Sequence, residues 1–192
     1  MSTQPVPRFT VAQYLEIERS AESRSEYLNG GIYAMAGGSP NHAFIAANAV
    51  IQIGAQLRGK PCRVAGSDLR ICCKPANVLT YPDISVVCGP VKTLDAEKDT
   101  LTDATVIVEV LTPSTENYDR GAKFRYYRGL PSFSEYLLLA QDEIRAEHYV
   151  RQPDGSWLFR EFNGPDAVVE LKSIGCRLEL GSLYEHVEFD AA

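Results

Sequence analysis

Three residues carry the chemistry that this sequence can offer. Asp83 opens the apolar stretch Pro82 to Cys88 (PDISVVC), Glu109 lies inside Thr105 to Leu111 (TVIVEVL), and Lys123 sits in the helical segment beyond. A carboxylate inside a Val/Ile run is costly unless it is paired or bound to a cation. On neighbouring strands the two acids would converge on a magnesium or manganese ion. Such an ion takes one or two carboxylates, a backbone carbonyl (here Val110) and water. It would acidify water and neutralise charge on phosphoryl oxygens, with a lysine in reach to orient the attack. These residue types therefore point to phosphodiester hydrolysis. No Ser/His/Asp elbow and no Gly-rich phosphate loop is present.

The acids also have plainer readings. Asp83 is a strand-start carboxylate able to take backbone hydrogen bonds, and Glu109 could form a buried pair with an arginine such as Arg70. Lys123 could be a solvated helix residue. Asp119 and Arg120 read as helix-start charges, with Arg120 able to touch a phosphate, and Tyr126 and Tyr127 read as packing.

The elements around these residues follow from pattern. After a loose lead-in over residues 1–9, Thr10 caps a short helix, TVAQYLEIERS. Asn29-Gly30 in SEYLNGGIYAMAGG marks a hairpin with Glu26 on its first strand. Ser39-Pro40 opens a long helix, about Asn41 to Arg58. Its stripe takes in Phe44, Ile45, Ala49, Ile51, Ile53 and Leu57. Strands are expected over Cys62 to Cys73 (broken near Gly66), Pro82 to Cys88 and Thr105 to Leu111. Lys74 to Tyr81 and Gly89 to Asp103 read as polar connections, the second able to move. A helix from Asn117 to Arg128 precedes a strand from Phe133 to Ala140. Pro153-Asp154-Gly155 then turns a late hairpin, and Val168 to Leu180 closes with short strands. The pattern is an α/β (α+β) αβββαβ core around a mixed sheet, with hairpins at both ends.

The 192 residues, 45% apolar and 23% charged, fit one domain spanning the chain. No apolar run approaches the roughly 20 residues that cross a bilayer, and MSTQPVPRF has no signal-peptide pattern. We therefore expect a cytoplasmic protein with no membrane contact. The net charge of −6 does not announce a nucleic-acid binder. Five cysteines without CxxC spacing read as buried free thiols in a reducing compartment.

The stretches SEYLNGGIYAMAGGSPNHAFI, YPDISVVC and VIVEVLTPSTENYDRGAKFRYYRGLPSFSEYLLL, with the late hairpin, resemble the Uma-two family of restriction-endonuclease-like proteins. That family belongs to the PD-(D/E)XK nuclease superfamily, and the match covers roughly residues 10 to 185. The resemblance implies a restriction-endonuclease-like fold and a Mg²⁺- or Mn²⁺-dependent cut of DNA. Asp83, Glu109 and Val110 would hold the metal, with Lys123 and Glu26 completing the catalytic set. His42, Asp68, Arg120 and Arg125 are further candidates for nucleic-acid contact. Two features depart from the superfamily pattern. Leu111 stands where a lysine is expected, which Lys123 replaces from the next helix, and residues 40–58 contain no acid, so Glu26 is the substitute. A homodimer is the simplest way to cut both strands. The alternative is a binding or scaffold protein that keeps the fold without the chemistry.

Overall fold

Local signals start and stop the elements largely where chemistry predicts. The computed structural model describes residues 8–35 and 37–189, so most of the expected lead-in lies outside the described residues. Thr10 and Gln13 form a reciprocal capping box at the start of α1 (Val11–Ser20). Asn29 and Gly30 take positive φ of 47° and 98°. That is the turn an Asn-Gly pair favours, and it joins β1 (Ser25–Leu28) to β2 (Gly31–Ala34). Ser39 caps α2 (Pro40–Leu57), with Pro40 in its first turn.

Six strands follow: β3 (Cys62–Ala65), β4 (Arg70–Cys73), β5 (Val78–Thr80), β6 (Ile84–Cys88), β7 (Thr100–Leu101) and β8 (Val106–Leu111). The next helix has three parts. These are α3 (Glu116–Tyr118), a π-helical turn (Asp119–Lys123) and α4 (Phe124–Tyr127). The chain closes with β9 (Glu135–Ala140), the hairpin of β10 (Arg145–Arg151) and β11 (Trp157–Asn163), the ribbon of β12 (Val168–Leu171) and β13 (Cys176–Glu179), and α5 (Leu180–Leu183).

A six-stranded sheet runs β11-β10-β9-β8-β6-β3, with β8 and β9 parallel and the other pairs antiparallel. Parallel neighbours need a crossover, and the three-part helix supplies it. A second sheet runs β2-β1-β5-β4-β7.

Strand alternation divides the core. Val106, Val108 and Val110 pack with Ile45, Ala49, Ile53 and Leu57 of α2 and with the β12–β13 ribbon. Ile107 and Leu111 face the other way, toward Tyr127 of α4 and Ile71, Cys73 and Val78 of the second sheet. α1 covers that sheet through Tyr14 and Leu15 against Tyr27, Cys72 and Leu79. This is the restriction-endonuclease-like arrangement, with added hairpins. No helix among the described residues is long and apolar enough to cross a membrane.

Several expectations need correction. The Cys62–Cys73 segment breaks so fully that β3 and β4 belong to different sheets. The supposed connection Lys74 to Tyr81 contains β5, buried throughout but too short to show periodicity. Gly89 to Asp103 contains β7, and Asp99 there pairs with Arg19 and Arg70. Phe44 and Ile51 lie off the buried i, i+4 row of α2 and are 50% and 66% exposed. Cys62 and Cys88 form a disulfide, because antiparallel pairing sets them opposite one another; Cys72, Cys73 and Cys176 remain buried thiols.

Candidate active site

Strand register brings the two acids together. Ile84 pairs with Val108 and Ser85 with Ile107, so Asp83, one residue before β6, stands opposite Glu109 and on the same face. The Val110 N–H donates to Asp83 Oδ2 at 2.7 Å, and the Asp83 N–H donates to Glu109 Oε2 at 3.1 Å. The plain reading of Asp83 as a backbone acceptor is therefore met as well. The N–H and C=O of a strand residue face the same edge, so the Val110 carbonyl also faces the Asp83 side. Arg70 is not the partner of Glu109; it pairs with Asp99.

Lys123 comes back to the strand end from the π-helical turn. Its Nζ lies 3.2 Å from Glu109 Oε1, 3.1 Å from Asp119 Oδ1 and 3.9 Å from Glu26 Oε1. A π-turn holds more residues than the ~3.6 of an α-turn, so positions four apart come closer to one line. Asp119 and Lys123 accordingly both point inward. Asp119 is 2% exposed, and its Oδ1 has no aligned hydrogen-bond partner despite the nearby ammonium. The Tyr127 hydroxyl donates to Glu109 Oε1 at 2.7 Å. Leu111 packs in the core.

The second sheet and α2 complete the surround. Glu26 accepts from the Thr80 hydroxyl, from Tyr81 N at 3.3 Å and from the Tyr118 hydroxyl at 3.1 Å. His42 Nε2 lies 3.1 Å from Asp83 Oδ2, and its backbone N–H donates to the Ser39 cap.

Electrostatics follow from burial. Desolvation pushes the fully buried Glu109 carboxyl well above its ordinary value; Lys123 opposes this, while Asp83 and Asp119 add to it. Burial also works against charge on Lys123, but Glu109, Asp119, Glu26 and Asp83 outweigh it and hold the ammonium well above its usual value. Burial would raise Asp83, yet His42, Lys123 and the Val110 N–H keep it below the usual carboxylate range. Desolvation and Glu109 push the Tyr127 phenol up, so it remains a donor.

These groups lie around a cavity of about 690 Å³, whose lining includes Glu26, His42, Asp83, Glu109, Val110, Asp119 and Lys123. Among the described residues, no group of three or more His, Cys, Asp or Glu side chains forms a ready metal cage. Two carboxylates and a carbonyl nonetheless match what a hard, largely hydrated cation takes from a protein.

The model of the Uma2 family, described as "Putative restriction endonuclease", matches residues 11–181. The chain belongs to the Uma2 family. Two curated relatives come from Synechocystis sp. (strain ATCC 27184 / PCC 6803 / Kazusa). The uncharacterized protein slr1290 is 36% identical over 185 residues, covering 96% of each chain. The uncharacterized protein sll1609 is 33% identical over 161 residues, covering 84% of this chain and 91% of its own. A crystal structure from Anabaena variabilis ATCC 29413, described as that of a "putative nuclease belonging to DUF820", superposes with a TM-score of 0.74 at 20% identity. It covers 94% of this chain and 99% of its own.

Within this Uma2 fold, Asp83, Glu109, Val110, Lys123, Glu26 and His42 meet at one cavity. The other three candidates lie elsewhere. Arg120 is tied to Glu147 at 2.9 Å and to Glu116, Arg125 is exposed beside the Tyr126 ring, and Asp68 pairs with Arg24 on the surface. Sequence reasoning assigns no site role to three further contributors: Asp119, Tyr118 and Tyr127. The spacing of two of them with Lys123 (119, 123, 127) is a usable signal, since residues four apart share a helix face.

Proposed function

We propose that this Uma2 protein is a divalent-metal-dependent endonuclease that hydrolyses phosphodiester bonds in DNA. The observation that carries the reading is the charge balance of the cavity. Glu26, Asp83, Glu109 and Asp119 line it, and among the described residues Lys123 is the single Lys or Arg in the lining. Four acids face one ammonium and the His42 ring, and burial already pushes the Glu109 carboxyl up, so a bound cation would offset the crowding of acids there. The descriptions "Putative restriction endonuclease" for the Uma2 family and "putative nuclease" for the Anabaena protein agree with this chemistry.

Asp83 and Glu109, with the Val110 carbonyl, would hold Mg²⁺ or Mn²⁺. When bound, the cation would acidify water and offset charge growing on the phosphoryl oxygens. The chain's own groups set the geometry. Tyr127 fixes Glu109 Oε1, and His42 with the Val110 N–H fixes Asp83 Oδ2. Lys123 Nζ keeps its protons because carboxylates surround it. Its ammonium would donate to the attacking water or to a non-bridging phosphate oxygen. Glu26 and Asp119 restrain that ammonium, at 3.9 and 3.1 Å. One such site cuts one strand, and a symmetric pair of chains would present two.

Plasmid nicking tests the proposal. Purified protein with Mg²⁺ or Mn²⁺ should convert supercoiled DNA to the open form, EDTA should stop it, and Asp83→Asn should abolish it. Cleavage at the wild-type rate by Asp83→Asn would sink the assignment.

A further inference from the structure

The acids sit on the floor of the cavity, and its walls indicate what form of strand reaches them. Glu109 and Lys123 are 1% and 7% exposed, so a scissile phosphate has to enter the recess to meet them. A single strand bends one nucleotide into such a recess more readily than a continuous duplex, whose phosphate is flanked by stacked neighbours and by the second strand. The volume of about 690 Å³ lies within the roughly 300–1,000 Å³ of pockets for small organic ligands. One nucleotide fits within it.

The lining suits a base better than a second phosphate backbone. Leu28, Tyr33, Met35, Pro113 and Tyr118 contribute apolar and aromatic surface. Tyr33 is the Cα partner of Glu26 across β1 and β2, and directly opposed strand residues project to the same side. Its ring therefore shares the face that carries a candidate catalytic acid, and it is 56% exposed there. The ring packs over Gly31, where an added Cβ would come within 2.7 Å of it. An accessible aromatic face is what an unpaired base stacks on.

Phosphate affinity, in a duplex or a single strand, draws on Lys and Arg, and among the described residues this lining supplies only Lys123, already committed to carboxylates. Base stacking therefore has to carry more of the binding.

We infer that the substrate presents an unpaired nucleotide, whose base enters the cavity against Tyr33 while its phosphate approaches the cation that Asp83 and Glu109 would hold. This rests on the nuclease reading above and specifies the strand it acts on.

Binding tests it separately from cleavage. Wild-type protein is titrated with Ca²⁺, a hard cation that takes the same oxygen ligands, and DNA oligonucleotides of one sequence carrying 2-aminopurine, with gels confirming that they stay intact. The oligonucleotides are fully paired, paired with one extra unpaired 2-aminopurine, or single-stranded. The unpaired forms should bind at least about tenfold more tightly than the paired one, with quenching of 2-aminopurine. Adding Tyr33→Ala should remove about tenfold of that preference, the scale of one lost base stack. Equal or tighter binding of the fully paired duplex would overturn the inference, as would an unchanged preference in Tyr33→Ala. Nicking by wild-type protein without a preference for unpaired DNA would remove this inference and leave the nuclease reading standing. A preference without nicking would leave the cavity its ligand and remove the chemistry.

Discussion

Lys123 shows how much a single buried charge depends on its surroundings. Alone, a lysine at 7% exposure would shed its proton; with three carboxylates within 4 Å it keeps it. A second buried charge, remote from the cavity, works by a simpler balance. Glu135 accepts from Ser173 N at 2.5 Å and lies 2.7 Å from His148 Nε2. Burial alone would raise its carboxyl, but His148 and Ser173 outweigh burial and hold it below the ordinary value. The unfolded chain therefore takes up this proton more readily than the fold. The stability Glu135 contributes is present above the unfolded value of about 4.3 and is lost as pH falls through the depressed folded one. Urea midpoints measured from pH 6 to pH 3 should fall steeply below about pH 4 in the wild type. Glu135→Gln should be less stable at pH 6 and flatter below; a parallel curve would remove Glu135 from the acid response.

At the scale of elements, the site is assembled by segment ends that meet. The start of β6 and the end of β8 supply the acids, the π-turn supplies Lys123, and the first turn of α2 supplies His42. The approach to α2 is tight at Gly38, where an added Cβ would come within 2.8 Å of His42 Nδ1 and 3.1 Å of its Cγ. A ring held by Asp83 on one side cannot yield without leaving it. Gly38→Ala should therefore displace His42 and slow nicking by roughly 10²-fold, the cost of a misplacement near 1 Å. Its thermal midpoint should hold or fall slightly, since the restricted unfolded chain is offset by the displaced ring. Unchanged nicking with unchanged stability would show that His42 has no part in holding Asp83.

The whole molecule gathers four carboxylates where two sheets and two helices converge. A cation that binds only this folded arrangement stabilises the entire domain by mass action. At a concentration about 100 times its Kd the gain is about 2.7 kcal/mol. For a chain of this size that corresponds to a rise of roughly 5–10 °C in Tm. Melting followed by circular dichroism should show this rise with Mn²⁺ over EDTA, and Glu109→Gln should lose most of it. A wild-type Tm indifferent to Mn²⁺ would take the cation out of the proposal.

Hydrophobic periodicity, Asn29-Gly30, Ser39-Pro40 and the buried-strand pattern around Asp83 and Glu109 were enough to lay out the αβββαβ core and its principal acids. Those signals are local: caps, turns and alternation act over a few residues. The resemblance to the PD-(D/E)XK pattern implied further that Leu111 left a lysine to be found and that Lys123 was the matching one. Only the tertiary structure decided that Lys123 returns, because its path depends on a π-turn that no propensity marks. It alone separated β3 from β4, raised a disulfide between Cys62 and Cys88 from strand register, and turned Arg120 toward Glu147. It also drew Asp119, Tyr118 and Tyr127 into the site. Each of those outcomes depends on contacts between distant segments, and one residue's pattern along the chain does not encode its neighbours in space.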